Sequence, residues 1–180
     1  MPRTLILYAT IEGQTARIAE RISHVLKSKG HAVDMLSAGA RQGSFDAGSY
    51  DSVIICASIH YGRHPGYLRT LVRHHREALA GRTCGFVSVS LSAGGPGAKP
   101  EAAKRYLRKF LRQTRWSPQE TAIIAGALPY SKYGPIKRLV MRGFVGFSGG
   151  DTDASRDYEY TDWTSVEAFA ERVAQRLEAR

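Results

Sequence analysis

Short apolar runs alternate along this chain with stretches of helical periodicity, and that alternation constrains the fold more than any other feature. Val53-Ile54-Ile55-Cys56-Ala57-Ser58 is a continuous apolar run, the pattern of a central strand covered on both faces. Thr4-Leu5-Ile6-Leu7-Tyr8, Gly85-Phe86-Val87-Ser88-Val89 and Ala122-Ile123-Ile124-Ala125-Gly126 read the same way, and His31 to Leu36 reads as a weaker strand nearer an edge. Between them lie helices. One spans about 15–29, with Ile18, Ile22, Val25 and Leu26 on one face and Gly30 closing it. A second stripe runs through Leu68, Leu71, Val72, His75 and Leu79. A third begins near Pro100 and buries Ala103, Leu107, Phe110 and Leu111. The last is capped by Thr161 or Asp162 and carries Val166, Phe169, Ala170, Val173 and Leu177 inward. Five strands with interleaved helices predict an α/β fold, a doubly wound parallel sheet with helices on both faces. Residues 128–160 are too long for an ordinary connection, so they are expected to be an insertion in or after the fifth strand.

A chain of 180 residues has room for one core, so 1–180 is read as a single domain. Its apolar runs reach about half a dozen residues, far below the roughly 20 that span a bilayer. Met1-Pro2-Arg3 leads straight into a strand without a signal-peptide core, so a cytoplasmic location is expected. Cys56 and Cys84 sit in strand-like runs and read as buried free thiols. A net charge of +10 calls for an anionic partner: nucleic acid, an anionic lipid surface or a carboxylate-bearing substrate. The chain carries none of the usual nucleic-acid motifs, so nucleic acid is not expected as a partner.

The first strand runs into Thr10-Ile11-Glu12-Gly13-Gln14-Thr15, and a helix begins at once. A helix N-terminus offers unpaired N–H groups and the positive end of its dipole to a phosphate. Gly13 permits close approach of the backbone, and Thr10 and Thr15 add hydroxyls. A capped helix after a tight turn is the plain alternative. The loop has neither the lysine of a Walker motif nor a G-x-G-x-x-G fingerprint. After the third strand comes Ser58-Ile59-His60-Tyr61-Gly62, where Tyr61 can stack on a flat heterocycle beside the open backbone of Gly62. After the fourth comes Ser90-Leu91-Ser92, leading into the glycine-rich 93–97. Open α/β sheets bind ligands beyond the carboxyl ends of their strands, so three such loops make a mononucleotide site.

Four histidines, His60, His64, His74 and His75, fall close together. His74 and His75 are neighbours on a helix and point apart, and no carboxylate sits at ligand spacing, so no metal site is expected. His60, beside the ring loop, is the one histidine with a candidate catalytic role. Arg63 and Arg69 can meet substrate carboxylates, although solvated arginines are the plainer reading.

The whole chain resembles the flavodoxin-like, quinone-dependent protoporphyrinogen IX dehydrogenases of bacterial haem biosynthesis. The resemblance is carried by Thr4-Leu5-Ile6-Leu7, Thr10-x-x-Gly13-Gln14-Thr15 and Ala57-Ser58-Ile59-His60-Tyr61-Gly62. It continues through Arg108-Lys109-Phe110-Leu111, Ile124-Ala125-Gly126-Ala127-Leu128, Ser148-Gly149-Gly150-Asp151-Thr152-Asp153 and Tyr160-Thr161-Asp162-Trp163. It implies a flavodoxin-like sheet order and an oxidoreductase with FMN as cofactor. Protoporphyrinogen IX would be the substrate, and a membrane quinone (menaquinone or ubiquinone) the acceptor. The flavin carries the redox chemistry, so no catalytic triad is expected. The segment 93–97 departs from the family in being richer in glycine and less basic. A soluble flavodoxin-type electron carrier and an NAD(P)H-quinone reductase are the alternatives on the same fold; the basic charge and the insertion speak against the carrier.

Within the insertion, apolar residues recur at 136, 139, 140, 143/144 and 147, a helical stripe with Lys137, Arg138 and Arg142 largely off it. Such a helix can lie in a membrane interface without spanning it, which would attach the protein peripherally to the inner face of the cell membrane. Burial against the body, or in a homo-oligomer interface, is the competing reading. Tyr130 and Lys132, with Tyr133, precede the stripe and are candidate flanks for the substrate.

Overall fold

A computed structural model describes residues 1–39 and 45–179, with Phe144 described by its backbone alone. In chain order the elements are β1 (Arg3–Ala9), α1 (Gln14–Ser28), β2 (Ala32–Ser37), β3 (Ser52–Ser58), α2 (Gly66–His74), α3 (Arg76–Ala80), β4 (Thr83–Ser90) and α4 (Pro100–Thr114). They continue with β5 (Glu120–Ala125), β6 (Ala127–Leu128), α5 (Pro135–Phe147), β7 (Tyr158–Glu159) and α6 (Trp163–Glu178). The main sheet has the order β2-β1-β3-β4-β5 and is parallel throughout, the flavodoxin-like doubly wound arrangement. Its register pairs Ala9 with Ala57, Ser58 with Val89 and Ser90 with Ala125, so the carboxyl ends of β1, β3, β4 and β5 lie side by side.

Alternation of side chains along each strand divides the apolar runs between two cores. Leu5, Leu7, Val53, Ile55 and Phe86 face α2 and α4, meeting Leu68, Val72 and Phe110. Ile6, Ile54, Cys56, Val87 and Ile124 face α1 and α6, meeting Ile18, Ile22, Phe169 and Val173. Both cysteines are buried, and the Cys84 thiol donates to the Leu79 carbonyl at 3.3 Å. Asp162 caps α6, its carboxylate accepting from the Thr164 N–H at 3.0 Å.

The stripe from Leu68 to Leu79 is two helices rather than one. The chain bends at His75, whose ring packs on Phe45 with centroids 4.3 Å apart, and α3 then brings Leu79 into the core. The insertion leaves the sheet after β5 and forms the small antiparallel pair β6–β7 with α5 between. It has its own core of Leu128, Tyr130, Tyr133 and Val145. Among the described residues no helix is long and apolar enough to cross a membrane.

His64 is the buried polar group of the α2/α4 side. Its Nε2 meets Ser88 Oγ at 3.1 Å, and its ring lies against Phe86 and Phe110. Burial pushes its pKa down from 6.5 to about 3. The unfolded chain therefore takes up a proton that the folded one refuses, and stability present above pH 6.5 is lost as the pH falls towards 3. From pH 7 to pH 5 this one group should cost about 2 kcal/mol. Urea titrations at the two pH values should show that loss in the native sequence and its absence in His64→Leu.

Candidate functional site

The turn after β1 is built around Gly13, whose φ of +98° is open to glycine at little cost. The Gly13 N–H donates to Thr10 Oγ1 at 3.0 Å, which closes the turn and aims α1 at the sheet edge. The first intrahelical bond runs from the Arg17 N–H to the Gly13 carbonyl. The N–H groups of Gln14, Thr15 and Ala16 precede it and lack an intrahelical acceptor. Among the described residues no side chain caps this end, and no acidic residue lies in its first turn. Thr15 is buried, and Gln14 is tied back through its amide to Thr161 Oγ1 at 2.8 Å. Ile11 is exposed on the outer side of the turn.

The turn after β3 adjoins it. His60 and Arg63 exchange backbone hydrogen bonds of 3.0 and 3.2 Å, and Tyr61 and Gly62 between them both adopt positive φ, +50° and +73°. Tyr61 is fully exposed, so its ring stands clear of the body. Ser58 Oγ donates to the Ala9 carbonyl at 3.2 Å, and the Ile59 N–H donates to the Val89 carbonyl at 2.8 Å, which locks the turn to both neighbouring strands. His60 is half-buried. Burial holds its imidazole below the ordinary value, with Glu12 opposing and Lys137 assisting. Across the edge, the hydroxyl of Ser90 is buried without a partner among the described residues, with Leu91 and Ser92 in the turn that follows. These three turns meet at one edge, as the sequence reading expects.

The insertion folds back onto the first turn through Glu12. Its carboxylate accepts from Tyr133 Oη at 2.9 Å and from Lys137 Nζ at 2.9 Å. Burial, then Glu12 itself, push the Tyr133 phenol far above its usual range, so it stays a donor. Lys132 Nζ donates to the Glu12 carbonyl at 3.0 Å and lies 3.4 Å from where a Cβ on Gly13 would stand. Among the described residues it has no carboxylate partner. A helix N-terminus without a side-chain cap, a glycine beside it and an ammonium over it that has no ion pair among the described residues suit a phosphate dianion. The orphaned Ser90 hydroxyl at the opposite turn suits a polar ring edge.

Other expected site residues lie elsewhere. Tyr130 is wholly buried in the insertion core, its hydroxyl donating to the Asp151 carbonyl at 2.9 Å, so it is a packing residue of the insertion and not a flank for substrate. Arg138 is spent on the carbonyls of Tyr130 and Tyr133, and Lys137 on Glu12. Arg142 alone of those three is exposed without an ion pair among the described residues. The apolar stripe of α5 faces outward: Ile136, Leu139, Val140 and Phe147 are 63–92% exposed, and Val145 with Met141 forms the inward side. Packing against the chain's own body is therefore not what this stripe does. The Phe144 side chain lies outside the described residues.

Positive charge is unevenly spread. Most cations on or next to α1 and α6 are matched, Arg17 by Glu159, Arg21 by Glu167, Lys29 by Glu171, and Arg172 with Arg176 by Glu120, while Lys27 has no ion pair among the described residues. On α4 only Lys104 has an ion pair, with Glu101, while Arg105, Arg108, Lys109 and Arg112 have none among the described residues.

Comparison with known proteins follows the same lines. The family model described as a flavodoxin domain matches residues 5–155. Protoporphyrinogen IX dehydrogenase [quinone] of Escherichia coli (strain K12) is 36% identical over 172 residues, covering 96% of this chain and 94% of that protein. The protein of the same name from Leishmania major is 33% identical over 177 residues, 96% of this chain and 75% of its own length. Among solved structures, a short-chain flavodoxin associated with a non-canonical PDU bacterial microcompartment aligns with a TM-score of 0.61 at 14% identity. That alignment covers 98% of this chain and 99% of the other. The Streptococcus pneumoniae TIGR4 flavodoxin aligns at 0.52 and 16%, over 98% of each chain. These two likenesses concern the fold.

The glycines of 93–97 answer to space. A Cβ on Gly94 would stand 2.8 Å from that of Ala125, one on Gly95 2.9 Å from the Tyr160 ring, and one on Gly97 2.9 Å from the Ser148 carbonyl oxygen. The insertion presses on Gly95 and Gly97, and the end of β5 on Gly94, so a Cβ has no room at these three positions. Gly95 also has a φ of +85°. Gly95→Ala should cost about 1–3 kcal/mol, read as a lower urea midpoint.

Proposed function

Because the chain belongs to the flavodoxin-domain family and, within it, to the quinone-linked protoporphyrinogen IX dehydrogenases, we propose that it binds FMN and oxidises protoporphyrinogen IX to protoporphyrin IX, passing the electrons to a membrane quinone. The observation that carries this reading is the uncapped N-terminus of α1 with Lys132 poised above it. Residues 1–180 act as one flavin-binding domain on this reading. The phosphate is held by the free N–H groups of Gln14 and Thr15, the Thr10 hydroxyl and the Lys132 ammonium. Ile11, Glu12 and Gly13 shape the turn. Ser58, Ile59, His60, Tyr61 and Gly62 flank the ring on one side, and Ser90, Leu91 and Ser92 on the other. FMN supplies the two-electron chemistry when bound. The chain's part is to hold the ring at the sheet edge, with the exposed face of Tyr61 available to a flat partner. His60, kept neutral by its burial, is the side chain at this turn able to take a proton.

The outward stripe of α5 belongs to the same reading. Four large apolar side chains beside the unpaired Arg142 suit the headgroup boundary of an anionic membrane, where a quinone is met. Attachment is peripheral, at the inner face of the cell membrane.

Three experiments test these statements. FMN and riboflavin titrations should both show binding, and Lys132→Gln should weaken FMN about tenfold, roughly 1.4 kcal/mol, while leaving riboflavin unchanged. FMN-loaded protein should oxidise protoporphyrinogen IX anaerobically only when quinone is supplied, and loaded protein that fails to do so overturns the assignment. Separately, the native sequence should sediment with anionic liposomes. The triple change Ile136→Ser, Leu139→Ser, Val140→Ser should release it with FMN still bound, and retention of liposome binding would exclude the stripe as the attachment.

A further inference from the structure

A second opening lies behind the His60–Arg63 turn, between α2 and α4. It is a cleft of about 230 Å³ whose lining includes Arg63, Arg69, Lys109 and the amide of Gln113. Among the described residues no carboxylate lines it and none of these three cations has an ion pair. Among the described residues the Arg69 guanidinium reaches only Gln113 Oε1, at 3.4 Å. The inner wall is His64 and Phe110, with the imidazole already engaged by Ser88. Like charges around one small cavity repel each other, and an anion placed among them relieves that repulsion.

Position decides which anion. Gly62 belongs both to this cleft and to the turn that carries Tyr61. Arg63 is fixed at the base of that turn by its two backbone bonds to His60. Tyr106, from α4, lies against Gly62 and lines both this cleft and a smaller one under 91–97. The cleft thus opens beside the ring end of the sheet edge. Pockets that enclose a whole small molecule run to about 300–1,000 Å³, so this one takes an arm of a ligand and not its body. Guanidinium groups match carboxylates in two-point hydrogen bonds.

We propose that this cleft is a carboxylate subsite, in which Arg63, Arg69 and Lys109 hold a propionate arm of the porphyrinogen while its macrocycle lies over the Tyr61–Gly62 turn. The subsite rests on the porphyrinogen reading above and deepens it. It selects a tetrapyrrole that carries free carboxylates over an esterified one.

The test uses FMN-loaded full-length protein with protoporphyrinogen IX and with its dimethyl ester, both in detergent with quinone. Arg69→Gln and Lys109→Gln are compared with Arg73→Gln, a neighbouring cation outside the cleft. Each cleft variant should raise KM for the free acid about tenfold with kcat within twofold, and should weaken binding of protoporphyrin IX in a fluorescence titration by a similar factor. The ester should already show the raised KM with the native sequence, and neither variant should raise it further. Arg73→Gln should match the native sequence throughout, and FMN affinity and Tm should be unchanged in all three variants. Native protein that turns over porphyrinogen, with both cleft variants unaltered in KM and porphyrin affinity, overturns the subsite alone. Unaltered KM with weaker binding to anionic vesicles overturns it in favour of a lipid contact. Native protein that binds FMN but neither oxidises porphyrinogen nor binds protoporphyrin overturns the subsite and the function together.

Discussion

Parallel pairing is the constraint on which the rest of this structure depends. When every strand of a sheet runs the same way, every strand ends at the same edge, and the turns that follow are gathered there without further instruction. The register of β1, β3, β4 and β5 sets Ala9, Ser58, Ser90 and Ala125 side by side. The Gly13 turn, the Tyr61–Gly62 turn and the Ser90–Ser92 turn are neighbours for that reason, although scores of residues separate them in the chain. Two apolar cores, one on each face, hold the sheet in that register.

The insertion is fastened to this edge at one carboxylate. Glu12 receives a phenol and an ammonium from residues more than a hundred positions later, and its carbonyl receives a second ammonium. Lys137 neutralises the carboxylate, while Lys132 retains its charge over the α1 N-terminus. The same segment covers Gly95 and Gly97 so closely that a Cβ has no room at either. A plain flavodoxin-like edge is thereby remodelled on two of its three turns by one appended unit.

The sheet and its flanking helices were legible because their signals are local and periodic. Continuous apolar runs mark the strands, and Gly30, Pro100 and Asp162 punctuate the helices. The Gly13 turn was legible because glycine and threonine at that spacing have a direct backbone meaning. What the sequence concealed depends on contacts between distant segments. Nothing near Lys132 tells that it crosses to Gly13, nor anything near Tyr130 that it is buried whole. The bend at His75 escapes a reading by period, because Leu79 stays in phase with the preceding stripe. Tyr106 and Lys109 look like one residue of an apolar face and one of a polar face until α2 is packed opposite them.

The mostly matched charges around α1 and α6 and the mostly unmatched ones of α4 give the molecule an electrical front and back. A body with such a lopsided field is turned as it diffuses, and meets a negatively charged surface or molecule front first. That orientation is bought with long-range forces, which fade within about 10 Å at 0.1 M salt. The rate at which the protein finds an anionic partner is therefore a property of the medium as much as of the fold.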